Sequence, residues 1–99
     1  ADLRQTNFEQ ADFRGAQLVG ALLNNVKMKQ AVLSPLMLGK GRSLNTNLSK
    51  TCLRLADFSG ADLRNVNFQE ADLTDANLIG ADITGADFTG AIMNGVRKA

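Results

Sequence analysis

The chain has 99 residues, 44% of them apolar and 21% charged, with a formal net charge of +1. That is one small domain, apolar enough to fold, and its longest uncharged run, residues 15–26, is too short to span a membrane as a helix. A single cysteine, Cys52, and no histidine exclude an internal disulfide framework, the usual zinc and transition-metal ligand sets and the commonest general acid–base residue.

A five-residue repeat begins at once and holds its phase to the end. Every fifth residue from Leu3 is large and apolar in eighteen of twenty cases, the exceptions being Ser43 and Lys98, and this series takes all five phenylalanines. Two places earlier stands a small residue, twelve times alanine, and between the two lies Asp or Asn in eleven of twenty units. An α-helix advances about 500° in five residues, so its apolar series would spiral around every side. A long flat strand would send alternate members to opposite faces. A three-residue strand and a two-residue turn put the small and the large residue on one side and Asp or Asn on the other. Four such units, each turning the chain by about a right angle, close a square coil, and coils stack at about 4.8 Å through parallel ladders. Twenty units predict five coils. The columns expected on that count are Phe8, Met28, Leu48, Phe68, Phe88 and Phe13, Leu33, Leu53, Leu73, Met93.

In chain order, units such as Ala11-Asp12-Phe13-Arg14-Gly15, then Ala56-Asp57-Phe58-Ser59-Gly60, Ala61-Asp62-Leu63-Arg64-Asn65 and Ala71-Asp72-Leu73-Thr74-Asp75, resemble the pentapeptide-repeat family. The resemblance covers nearly the whole chain. It implies an all-β fold, a right-handed quadrilateral parallel β-helix, and it implies no single function. Some members resemble DNA in shape and charge and bind type II topoisomerases, others are effectors or developmental regulators, and members occur in bacteria and the plastid lumen.

Between the regular stretches, Ser34-Pro35-Leu36-Met37-Leu38-Gly39-Lys40-Gly41-Arg42-Ser43-Leu44-Asn45 departs from the pattern. Leu36 is too large for the small place, and Ser43 is polar where a large apolar residue belongs. The preserved phase favours a coil that continues with a bulge and a locally altered core. The other reading has residues 35–45 looping out, where solenoids often carry binding function. Gly39-Lys40-Gly41 is no phosphate loop, since Ser34 and Gly41 stand where that motif needs Gly and Ser or Thr.

Charge is asymmetric along the chain. Between Asp12 and Asp57 there are seven basic residues, Arg14, Lys27, Lys29, Lys40, Arg42, Lys50 and Arg54, and no acid. From Asp57 to Val96 there are seven acids against Arg64 alone. Five of those acids occupy the repeat's own Asp place, so their clustering follows from regularity. Lys27 and Arg42, in contrast, replace Asp or Asn. The candidate partner-binding residues are therefore Lys27, Lys29, Lys40, Arg42, Lys50 and Arg54, in a basic band around the girth. On the expected coil count Lys27, Lys29 and Lys50 share one side, Arg14, Ser34 and Arg54 share a column, and Val19 lies in line with Ile79.

The function expected is a non-enzymatic protein-interaction scaffold, contacting an unknown protein through that band and residues 35–45. A topoisomerase-binding DNA mimic and a structural spacer in a longer protein are the rivals. A mimic needs dense negative charge, which this chain lacks. No catalytic, cofactor-binding or metal-binding residues are expected. Ser49 beside Lys50 is the only nucleophile–base neighbour pair worth checking, at turn positions where nothing activates the serine. With no Trp or Tyr and every Phe inward, no sequence-specific nucleic-acid partner is expected. The unpaired cysteine leans toward a reducing compartment, with the thylakoid lumen or periplasm as alternatives. No basic-then-apolar leader opens the sequence, and Ala1 begins in full repeat with no cap. The uncapped start, without an initiator Met, suggests a fragment or processed chain, with end-to-end self-association through an open first coil.

Overall fold

The computed structural model describes residues 2–98 and is a square β-helix. Its four faces are columns of paired residues in parallel register. Face one carries Asp2, Leu22, Cys52, Asp72 and Ile92, and face two carries Asn7, Lys27, Asp57, Asn77 and Arg97. Face three carries Asp12, Val32, Asp62 and Asp82, and face four carries Gln17, Asn47, Asn67 and Asp87. Each pairing is a one-residue bridge, because each unit has room for only three extended residues before it turns.

The unit works as its composition requires. The small and large residues point inward and build one core, from Ala21 and Leu23 to Ala76 and Leu78, with Phe58 and Phe68 fully buried. Phe68 and Phe88, one coil apart on face four, stack with ring centroids 5.0 Å apart and planes 3° from parallel. The outward Asp or Asn has a structural task. At all eleven such places the side-chain oxygen accepts the backbone N–H two residues on, at 2.9–3.3 Å. That is an Asx turn, and it bends the chain at each corner. The residue completing the corner takes a positive φ, as at Asn25 (59°), Asn65 (59°) and Gly80 (75°), which explains the glycines at 80, 85, 90 and 95.

The expectation of five in-phase coils is corrected at Pro35. Before it, successive coils pair residues twenty apart, as Asp12 with Val32; across it, Gln17 pairs with Asn47, thirty apart. Ten residues, 36–45, leave the coil, so eighteen units remain and make four and a half coils. The cause is local. Pro35 holds the corner place that otherwise takes a positive φ, and its ring fixes φ near −65° and removes the N–H that would bond the next coil. Thr46 then closes the gap. Its buried hydroxyl accepts from Gly15 N–H at 3.0 Å and donates to the Phe13 carbonyl at 3.2 Å.

The excised residues form an antiparallel hairpin, β1 (Leu36–Gly39) and β2 (Arg42–Leu44), paired as Leu36 with Leu44, Met37 with Ser43 and Gly39 with Arg42, with a bulge between Met37 and Gly39. Gly39, Lys40 and Gly41 turn it with three consecutive positive φ angles, 83°, 52° and 74°. The columns change with this. Met28 is followed by Phe58 rather than Leu48, and Leu33 by Leu63 rather than Leu53, while Leu38, expected in the core, is exposed on the hairpin. Among the described residues no helix is long and apolar enough to cross a membrane.

Candidate functional site

The hairpin redistributes the six candidate cations. Lys27 lies in the middle of face two and Lys29 at the corner it leads to, so these two stay together. Lys50 moves to the corner between faces four and one, where its N–H bonds the Gln69 carbonyl, and so does not share a side with Lys27 and Lys29. Arg54 stands at the corner between faces one and two, in the column of Arg4 and Asn24. The column expected to hold Arg14, Ser34 and Arg54 holds Arg14, Ser34 and Arg64 instead, and Val19 lies in line with Ser49 rather than Ile79. Lys40 and Arg42 sit at the hairpin's end, away from the coil surface.

Ion pairing divides the cations further. Arginines two places after an Asp fold back on it, Arg4 on Asp2 at 2.7 Å, Arg14 on Asp12 and Arg64 on Asp62 at 2.8 Å. Arg54 follows Cys52 instead, and reaches Asp72 in the next coil at 4.0 Å. Among the described residues Lys27, Lys29, Lys40, Arg42 and Lys50 join no ion pair. The five unpaired members of the expected band thus stand at three separate places, face two, one corner and the hairpin, with Arg54 at a fourth.

The same contacts set the carboxylates. The Arg4 guanidinium and its backbone N–H hold Asp2 down at about 2, and Arg14 and Arg64 lower Asp12 and Asp62 in the same way. Hydroxyls of Thr74, Thr84 and Thr89 do the same for Asp72, Asp82 and Asp87. These groups stay ionised at neutral pH as turn acceptors. No cluster of His, Cys, Asp and Glu among the described residues is arranged to hold a metal ion. Ser49 donates its backbone N–H to Asn47 Oδ1, which makes it a turn residue.

Of the two readings of residues 35–45 the structure takes the excursion, and the favoured one, a coil continued through a bulge, is corrected. The hairpin folds over the corner of the first coil, with Leu36 and Leu44 covering Gly15. Met37 is 67% exposed and Leu38 49%, with Leu44 also exposed, beside Lys40 and Arg42. Beneath it, Arg14, Ser34, Pro35, Met37, Ser43 and Arg64 are among the residues lining an open cleft of about 460 Å³. An apolar, basic, protruding hairpin on a stiff coil presents a contact surface with little backbone freedom to lose on binding.

The family described as pentapeptide repeats matches this sequence in eight copies, over residues 1–34 and 56–95. Among solved structures, the chain is 31% identical to HetL, a pentapeptide repeat protein involved in heterocyst differentiation regulation in the cyanobacterium Nostoc sp. strain PCC 7120, with a TM-score of 0.65. That match covers 96% of this chain and 39% of HetL. It is 35% identical to alr5209, a pentapeptide repeat protein of Nostoc PCC 7120, with a TM-score of 0.58, over 86% of this chain and 62% of the other. The chain thus spans less than two thirds of either relative. No curated protein sequence matches it.

Proposed function

The chain belongs to the pentapeptide-repeat family, and we propose that it acts as a non-enzymatic protein-interaction module whose contact is the hairpin of residues 36–44. The observation that carries this reading is the hairpin's surface. A coil that could have continued is interrupted to put Met37, Leu38 and Leu44 at the surface beside Lys40 and Arg42. Exposed apolar residues gathered on one projecting element mark interaction sites more often than singly scattered ones do. The partner surface that fits is a protein groove with an apolar floor and an acidic rim.

The stiffness of the support serves the same end. The hairpin's base is held by Thr46 and by Leu36 over Gly15. A topoisomerase-directed DNA mimic would use a densely acidic surface, whereas here the second coil and hairpin carry Lys27, Lys29, Lys40, Arg42 and Lys50. Excision tests the reading cleanly, because residues 36–45 can be removed, with Pro35→Gly at the corner, without disturbing the five-residue phase. The intact chain is used to capture partners from lysate of its source cell, beside the excised chain and a Met37→Ser, Leu38→Ser, Lys40→Glu, Arg42→Glu variant. A protein held by the intact chain and lost with both variants supports the hairpin contact. Equal capture by all three baits moves the contact elsewhere, and capture of nothing leaves the spacer reading as the better one.

A further inference from the structure

The excursion at Pro35 shifts every later unit two places around the coil, and this collects on face one residues that are scattered in sequence. Down its middle run Leu22, Cys52, Asp72 and Ile92, with Leu22 42% and Ile92 47% exposed. At the corner entering the face, Lys50 and Glu70 occupy consecutive coils. At the corner leaving it, Arg54 and Leu55 precede Thr74 and Asp75 by one coil, with Leu55 N–H bonded to the Thr74 carbonyl. Of the four rows from Leu22 to Ile92 the two outer ones are apolar, and Asp2 stands one row beyond Leu22. Along both corner lines a basic residue is followed by an acidic one.

We propose that face one is a dimer interface for a second copy of this chain, packed antiparallel about a two-fold axis that lies along the strands between the Cys52 and Asp72 rows. Rotation about that axis sets Leu22 of one copy on Ile92 of the other, Lys50 on Glu70, and Arg54 on the turn between Asp72 and Asp75. Every contact then occurs twice, as an isologous interface requires. Two alternative arrangements fail on charge. An axis one half-row lower sets Lys50 on Lys50 and Leu22 on Asp72. A parallel arrangement sets Lys50 against Arg54 and Glu70 against Asp75. Such like-charge pairs are what excludes a wrong docking.

The size of the face sets the strength. Four rows at the sheet spacing, across no more than the molecule's shorter extents of 24–25 Å, bury at most about 900 Å² counted over both copies, below the roughly 1,000 Å² of a stable interface and therefore a weak, transient dimer. The hairpin leaves the corner between faces three and four, so it does not shade face one, and this dimer stands or falls separately from the hairpin contact.

Sedimentation equilibrium of the 99-residue chain, from micromolar to millimolar and at low and high salt, measures it. A dimer weakened by salt is expected. Lys50→Glu or Glu70→Lys alone should weaken it about tenfold, since each reversal acts at two symmetry-related contacts. The double variant should restore it by exchanging the signs, with the circular dichroism spectrum confirming the fold in each case. A second measurement uses Leu22→Cys with Ile92→Cys in a Cys52→Ser background. Within one copy those positions are three rows, about 14 Å, apart and cannot be bridged, so oxidation should yield a disulfide-linked dimer. A monomer at every concentration, a double charge exchange as weak as either single, or no cross-linked dimer from the cysteine pair would overturn the proposal.

Discussion

Leu36 stands over Gly15 so closely that a methyl group on the glycine would lie 2.8 Å from Leu36 Cβ. Twenty-one residues apart in sequence, the two fix where the hairpin rests on the coil. Gly15 is needed twice, for its positive φ of 74° and for the space above it. Gly20 has the same φ with nothing within 4 Å.

These two glycines make an internal control. Gly20→Ala should cost about 1 kcal/mol, the backbone penalty alone. Gly15→Ala should cost more, about 2–3 kcal/mol, because Leu36 must also move. Urea unfolding of both variants measures the difference. Equal costs would mean that the hairpin does not rest on the first coil.

Inward and outward places differ in the same way. Leu63 is fully buried and Arg64 exposed. Leu63→Ala should cost about 2–5 kcal/mol as a core cavity. Arg64→Ala should cost under about 0.5 kcal/mol, since its pair with Asp62 is at the surface. Chemical denaturation of both tests the assignment.

Removal of residues 36–45 together with Pro35→Gly should give an uninterrupted coil. Glycine supplies the positive φ that proline refuses, and a shorter connection closes at lower entropic cost. The expected result is an unchanged β-type spectrum and a Tm that does not fall. A chain that fails to fold without these residues would show that the hairpin is part of the core.

Acid should loosen the coil within a definite window. Asp2 lies at about 2 against an ordinary 3.8, and Asp12, Asp62, Asp72, Asp82 and Asp87 are lowered too. A carboxylate depressed in the folded state contributes stability that is fully present above its unfolded value and lost as pH falls through its folded one. Tm should therefore hold from pH 7 to about 5 and decline between about 4 and 2. Asp82→Asn with Asp87→Asn keeps the turn acceptors but removes two titrating groups, so its decline should be shallower. An identical acid profile would assign the loss to other groups.

Much of this molecule was legible in its sequence, though unevenly. The inward series outside residues 36–45 and the outward Asp and Asn could be read from the five-residue phase. The turn-capping task of Asp and Asn was not drawn from the pattern, although its constant place before the corner was a signal. Pro35 was a stronger one, because it occupies a place where the backbone must turn left-handed. Its meaning depends on knowing that φ, which the repeat alone does not reveal.

The sequence by itself determined the unit, since alternation and turn chemistry act within five residues. That is why Leu63 and Leu73 point inward whatever the coil count. Only the tertiary structure decided which unit lies on which. An excursion of ten residues is two whole units long, so it leaves the phase intact while rotating every later unit half-way around the coil. Lys50 is parted from Lys27, and Leu22 comes to lie on Cys52, because coil-to-coil pairing is a contact between distant residues and no local period records it.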